Sequence, residues 1–201
     1  MDISKLVIIC LVAYAGFYGW AHRSMSQPEG VIVSSEPLQT PLSAKDQQPI
    51  QYQNMTLKPM ADYTLTGRVL STEQYWFDPN AKISPVDLAL GWGAMSDSGV
   101  LKQLHVSQTD RSYSYSWQGT PSLDDKTIVH NSANMHILPA NPFIKKITSN
   151  LRVGQVVSLK GSLVYVELPG GGEWRTSLSR DDTGRDGSEV MFVTEVNIVD
   201  R

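Results

Sequence analysis

No position from Leu6 to Ala21 carries a formal charge, and the run is bounded by Lys5 on one side and by His22 and Arg23 on the other. A surface helix keeps one polar face, so a segment that is apolar all round predicts burial in lipid or in a large core. At 1.5 Å of rise per residue this run covers roughly 24 Å. That is slightly less than the ~30 Å hydrocarbon layer, and snorkelling by Lys5 and Arg23 makes up the difference. Tyr14, Phe17, Tyr18 and Trp20 crowd toward its C-terminal end, where interfacial aromatics belong. Residues 1–23 are therefore expected to form a single-pass N-terminal signal anchor. The competing reading is a cleaved signal peptide with Ala13-Tyr14-Ala15 as the small-x-small site; the aromatic and glycine positions that continue the apolar run past Ala15 favour retention. Cys10 follows Val7-Ile8-Ile9, which is too bulky for a lipidation signal.

The pattern then changes. Residues 24–60 are rich in Ser, Gln and Pro (Pro28, Pro37, Pro41, Pro49, Pro59) and sustain neither a period of two nor one of 3.6. Such a stretch buries too little apolar surface to offset its ordering entropy, so a flexible linker is expected, with Val31-Ile32-Val33 as its one apolar spot.

From residue 61 to 201 the pattern is that of strands. Tyr63–Leu70 alternates, with Gly67 suggesting a bend. Leu101–Ser107 and Arg111–Gln118 follow, and in the second Tyr113, Tyr115 and Trp117 alternate with serines. Ser84-Pro85-Val86-Asp87 reads as a capped helix start running to Gly91. Thr127–Leu138 reads as extended, and Asn141-Pro142 opens a second short helix ending near Ser149. Gly154–Val166 reads as a hairpin turning at Gly161-Ser162. Pro169-Gly170-Gly171-Gly172 is a turn, and Glu173–Ser179 and Val190–Val199 complete the strands. About six or seven short strands with turns between them predict a mainly β domain, a small antiparallel barrel or sandwich with two short helices. The order of these elements loosely resembles an OB-type barrel; the resemblance is one of pattern and carries no residue-level function with it.

Composition narrows the function classes. The chain has 201 residues, 41% hydrophobic and 18% charged, with a formal charge of -3, enough for one core-bearing domain plus an attachment segment. Of the Asp, Glu, Lys and Arg residues only Lys5, Arg23 and Asp2 lie in the N-terminal segment, so the remainder is slightly acidic and nucleic acid is disfavoured as a partner. Cys10 is the one cysteine, which leaves the domain without a disulfide, a thiolate metal site or a cysteine nucleophile.

Four constellations could carry chemistry. His130-Asn131-Ser132-Ala133-Asn134-Met135-His136 puts two imidazoles six apart, on one face if the stretch is a strand. With Asp87 or Asp97 they would form a candidate divalent-metal site, His130 and His136 being its ligands; the plainer reading is that one His and the Asn residues satisfy buried backbone groups. Trp92, between Gly91 and Gly93, is either a binding anchor or a core plug. Arg175 and Arg180 flank a charged loop that could hold an anion; its Asp182, Asp186 and Gly187 match part of a calcium loop, but Gly184 and Val193 stand where ligands are needed. The Tyr113, Tyr115, Trp117 stripe is a stacking platform or a core face. Candidate ligand-binding residues are thus Trp92, His130, Asn134, His136, Arg175 and Arg180. No Ser-His-Asp set, phosphate-cradling loop or internal repeat stands out, and no cofactor is predicted beyond that metal.

The expectation is a membrane-tethered, non-enzymatic binding or assembly module acting on another protein at the bilayer. Its rival is a metal-assisted hydrolase using His130 and His136, and a nucleic-acid or sugar binder is more distant. The charge balance around the anchor is nearly even. Analogy with short signal anchors puts the N-terminus inside and the domain outside the cytoplasmic (inner) membrane, in the periplasm if the cell is Gram-negative.

Overall fold

A computed structural model of the chain describes residues 2–21, 23–179 and 187–199, apart from the side chains at 15, 17, 18, 20 and 21. Helix α1 spans Ile3–Ala21, and Leu6, Val7, Ile8, Ile9, Leu11 and Val12 on it are all exposed. The aromatic positions Phe17, Tyr18 and Trp20 lie outside the described side chains. Among the described residues no helix is long and apolar enough to cross a membrane.

The β portion begins with two short strands, β1 (Leu38–Thr40) and β2 (Ile50–Tyr52), and then β3 (Met55–Gln74), β4 (Val86–Gly91) and the short helix α2 (Ser98–Leu101). Next come β5 (Leu104–Thr109), β6 (Ser112–Trp117), helix α3 (Asp125–His130), β7 (Ser132–Pro139) and helix α4 (Pro142–Thr148). The last strands are β8 (Val156–Glu167), β9 (Glu173–Trp174) and β10 (Glu189–Ile198). Five strands pair in a circuit: β3 with β4, β4 with β7, β7 with β10, β10 with β8, and β8 back to β3. The β7–β10 pair is parallel, so the expected all-antiparallel arrangement is a mixed one. Long β3 pairs along its length with β1, β2, β4 and β8, and its register slips between Pro59 and Ala61 against β8 and between Val69 and Ser71 against β4. Pro59 has no N–H to give, and it sits where the ladder is already broken.

Tyr63, Leu65, Leu88, Leu90, Met135, Ile137, Leu159, Leu163, Met191 and Val193 form one buried cluster with Trp92. Ile144 and Leu151, from α4 and the segment after it, belong to the same cluster. Helix α4 starts as its sequence predicts, with the Asn141 side chain accepting from Ile144 N at 3.0 Å and Pro142 at the first turn.

Several expectations are corrected. Val86–Gly91 is a strand rather than a helix: every residue in it is buried, and a strand covered on both faces loses the alternation that would betray it. Gly154–Val166 is not a hairpin, because β8 runs straight through Gly161. That glycine is required by close approach, since a Cβ there would lie 2.0 Å from Phe192 O. Thr127–Leu138 is split into α3 and β7, with Asp124 capping α3 by accepting from Thr127 N at 2.6 Å. Within the 24–60 segment the linker is not free along its length. Met25 N donates to Val153 O at 2.7 Å. Ile32 and Val33 are buried in the main cluster, and their amides both donate to Ser96 Oγ. The polar side chains that hold this segment lie more than sixty residues away in sequence, so its own composition could not reveal them.

Candidate functional site

Period-two alternation puts Asp87 and Ala89 of β4 on the side away from the main cluster, together with Asn134 and His136 of β7. Asp87 and His136 are register partners across the two strands. Over this face lies the β5–β6 hairpin, whose Tyr113, Tyr115 and Trp117 pack against a satellite cluster containing Ala89, Leu70 and Met95. The aromatic stripe is thus half-buried packing rather than an open platform.

The hairpin turns on Asp110 and Arg111, both in the left-handed backbone region at φ 49° and 61°. Two-residue hairpin turns of this kind favour Asn-Gly or Asp-Gly, and an arginine there costs about 1 kcal/mol or more of strain. Its side chain shows what offsets the cost. The guanidinium carbon lies 3.9 Å from the Tyr75 ring centroid and 5.2 Å from that of Trp174. Nη2 donates to Asp78 Oδ1 at 2.7 Å and to Ser84 O at 3.0 Å, and Nη1 donates to Asp87 Oδ1 at 3.2 Å. Asp87 is fully buried, and its Oδ2 lies 2.8 Å from His136 Nδ1. The His136 ring in turn contacts Trp174, centroid to centroid at 4.7 Å. Asn134 fastens the assembly by donating to Arg111 O at 3.2 Å and to Ser188 Oγ at 3.1 Å, while its Oδ1 accepts from Gln108 Nε2 at 2.7 Å.

Asp78, Arg111, His136, Trp174 and Ser188 of this assembly, with Asp110 and Arg175, line a cleft of about 560 Å³. Arg175 is exposed at the rim and donates to Glu173 Oε2 at 3.0 Å. Burial pushes the Tyr75 hydroxyl up, and the neighbouring Asp87 carboxylate adds to the shift. At Asp78 burial also pushes upward. The hydrogen bonds and charge of Arg111, with the amides of Asn80 and Ala81, outweigh it and hold the carboxyl below its ordinary 3.8. A carboxyl lowered in the fold stabilises it above the unfolded value, and that contribution is lost as pH falls through the folded value. Denaturation between about pH 2 and pH 6 should therefore show wild-type stability dropping on the acid side more steeply than that of Asp78→Asn.

The sequence candidates distribute unevenly. His136, Asn134 and Arg175 come together in or under the cleft, and Asp87 is indeed the carboxylate beside His136. His130 ends α3 on another element, its carbonyl accepting from Trp92 Nε1 at 3.1 Å. Trp92 is fully buried and is a core plug. Asp97 caps α2, accepting from Gly99 N at 2.7 Å, and also accepts from Gly30 N. Among the described residues no group of three His, Cys, Asp or Glu side chains converges to hold a metal. Arg180 and the partial calcium pattern at Asp182, Gly184 and Asp186 lie outside the described residues. Sequence reasoning missed Arg111, for which the available signal was two strand patterns separated by only three residues, Gln108 to Asp110. No family model, curated protein or solved structure matches the chain.

Proposed function

We propose that the protein is a membrane-tethered, non-enzymatic binding module of OB-barrel type whose polar ligand occupies the Arg111–His136–Trp174 cleft. The pairing circuit supports the barrel reading: its third and fifth strands, β7 and β10, run parallel, and α4 separates the third from the fourth. OB folds bind on the face of their second and third strands and on the flanking loops. Here that face is β4–β7, and the loops are those bearing Tyr75–Asp78 and Trp174–Arg175. The tether reading rests on the uncharged run Leu6–Ala21, with the domain outside the cytoplasm.

The observation that carries the binding reading is Arg111. A strained arginine, stacked by two rings and paired with two carboxylates, keeps a cleft in one shape before any ligand arrives, which lowers the entropic cost of binding. The carboxylates Asp78, Asp110 and Glu173 in the lining disfavour a polyanion. They suit a neutral or cationic group, a saccharide beside Trp174 being the second choice. A metal-assisted hydrolase would need His130 to leave the end of α3.

The test is photo-crosslinking of the full chain in its own membrane, with a benzophenone side chain at Ser112 in the cleft lining or at exposed Thr120 outside it. One discrete adduct from Ser112 that Thr120 does not give supports the reading. No adduct from Ser112, or the same adduct from both, overturns it.

A further inference from the structure

Trp76, at 76% exposed, and the fully exposed Phe77 stand on the β3–β4 loop, and Phe143, at 67%, stands on α4. A groove of about 470 Å³ runs between these two elements, lined by Trp76, Pro85, Pro142, Lys82, Lys145 and Lys146 among others. No carboxylate lines it, although the chain as a whole is acidic, and among the described residues none of the three lysines has an ion-pair partner. Exposed aromatics ringed by lysines suit an interface between apolar and anionic phases.

The chain itself says which such interface is near. Ala21 closes α1, and Met25 is already bonded to Val153, so four Cα steps, at most about 15 Å, separate the proposed anchor from the domain. The join is specific. Gln27 Nε2 donates to Gly154 O at 2.9 Å. Gly154 has φ +91°, and a Cβ on it would lie 2.0 Å from Met25 O, so only glycine lets the two segments approach this closely. Val153 follows Ser149, a lining residue of the groove, by four further residues. A long tether would let the domain roam, but one this short keeps the end of α4 within a few residues of α1.

We infer that the Trp76–Phe77–Phe143 surface, with Lys82, Lys145 and Lys146, docks the domain onto the anionic bilayer in which α1 is anchored. This rests on the anchoring reading and specifies its geometry. The domain lies on the membrane with its aromatics at headgroup depth and its lysines against lipid phosphates.

The experiment uses the full chain in vesicles of phosphatidylcholine alone or mixed with phosphatidylglycerol. An environment-sensitive fluorophore is placed by Phe77→Cys or, as control, Thr120→Cys, in a Cys10→Ala background. Vesicles carry a nitroxide-headgroup lipid as quencher, and flotation is scored in parallel. The expected result is a blue shift and quenching of the Phe77 probe in anionic vesicles, weaker in neutral ones and lost in Lys82→Glu/Lys145→Glu/Lys146→Glu, while the Thr120 probe stays in water throughout. A Phe77 probe that stays in water on floating vesicles overturns the docking and leaves the anchor standing. A shift that needs added membrane protein assigns the surface to a protein partner and also overturns it. Failure to float overturns the anchor and the docking together.

Discussion

Arg111→Ala is expected to cost about 3–5 kcal/mol of unfolding free energy, because it removes the cationic partner of fully buried Asp87 and leaves that carboxyl beside Ser84, Tyr75 and His136 alone. The Arg111 side chain is itself only 11% exposed, so water cannot take over its contacts cheaply. Alanine keeps the left-handed backbone strain at φ 61° while losing everything that held the residue there. Arg111→Gly removes the same contacts but relaxes the backbone, and should be less destabilised than the alanine variant by about 1 kcal/mol. Arg111→Ala combined with Asp87→Asn should recover part of the loss, since no buried charge is then left over. Urea denaturation of the four proteins settles the order. If Arg111→Ala and Arg111→Gly are both within about 0.5 kcal/mol of wild type, the guanidinium is not holding the cleft.

How far this site was legible depends on which physics made it. The imidazole of His136, the amide of Asn134 and a carboxylate at Asp87 are chemistry-bearing residue types, and composition alone flags them. Their mutual placement follows from β4 pairing with β7, which requires Val86–Gly91 to be a strand. A run buried on both faces reads equally well as a short buried helix, and Ser84-Pro85 imitates a cap, so the local signal pointed the wrong way. Pairing His130 with His136 on one face requires one extended stretch. Asp124 overrides that by capping a helix that ends at His130, so the two imidazoles sit on separate elements. Elements whose signals are local came through: Asn141-Pro142 opens α4, and Val190–Val199 is β10 to within a residue or so. Docking of residues 25–33 onto Ser96, Ser98 and Gly154 is wholly long-range. Only the apolar triplet Val31-Ile32-Val33 hinted at it, and of the three Val31 stays exposed.

Trp92→Ala should destabilise by about 3–5 kcal/mol, the range for deleting a large buried aromatic, and its consequences should reach the membrane attachment. The residue is fully buried in the main cluster with Ile32 and Val33. Its backbone N donates to Asn131 O at 2.9 Å, and the next residue, Gly93, donates to Val33 O at 2.7 Å. Gly93 adopts φ +49°, and a Cβ there would lie 1.9 Å from Asn131 Oδ1, so the backbone at this point is clamped between two distant segments. Removing the indole opens a cavity under both. Trp92→Phe retains most of the apolar contact and withdraws the Nε1–H donor from His130 O, which by itself should cost about 1–3 kcal/mol. The two variants therefore separate packing from hydrogen bonding. In Trp92→Ala, residues 25–33 should also lose protease protection under conditions where β3 and β8 remain intact, because Ile32 and Val33 are buried in the same cluster as the indole. With that segment released, the connection to α1 lengthens by the same residues, and a probe at position 77 should leave the headgroup layer. Retained protection of residues 25–33 in a measurably destabilised Trp92→Ala would show that Ser96 and Gly154 hold the segment without the core beneath it.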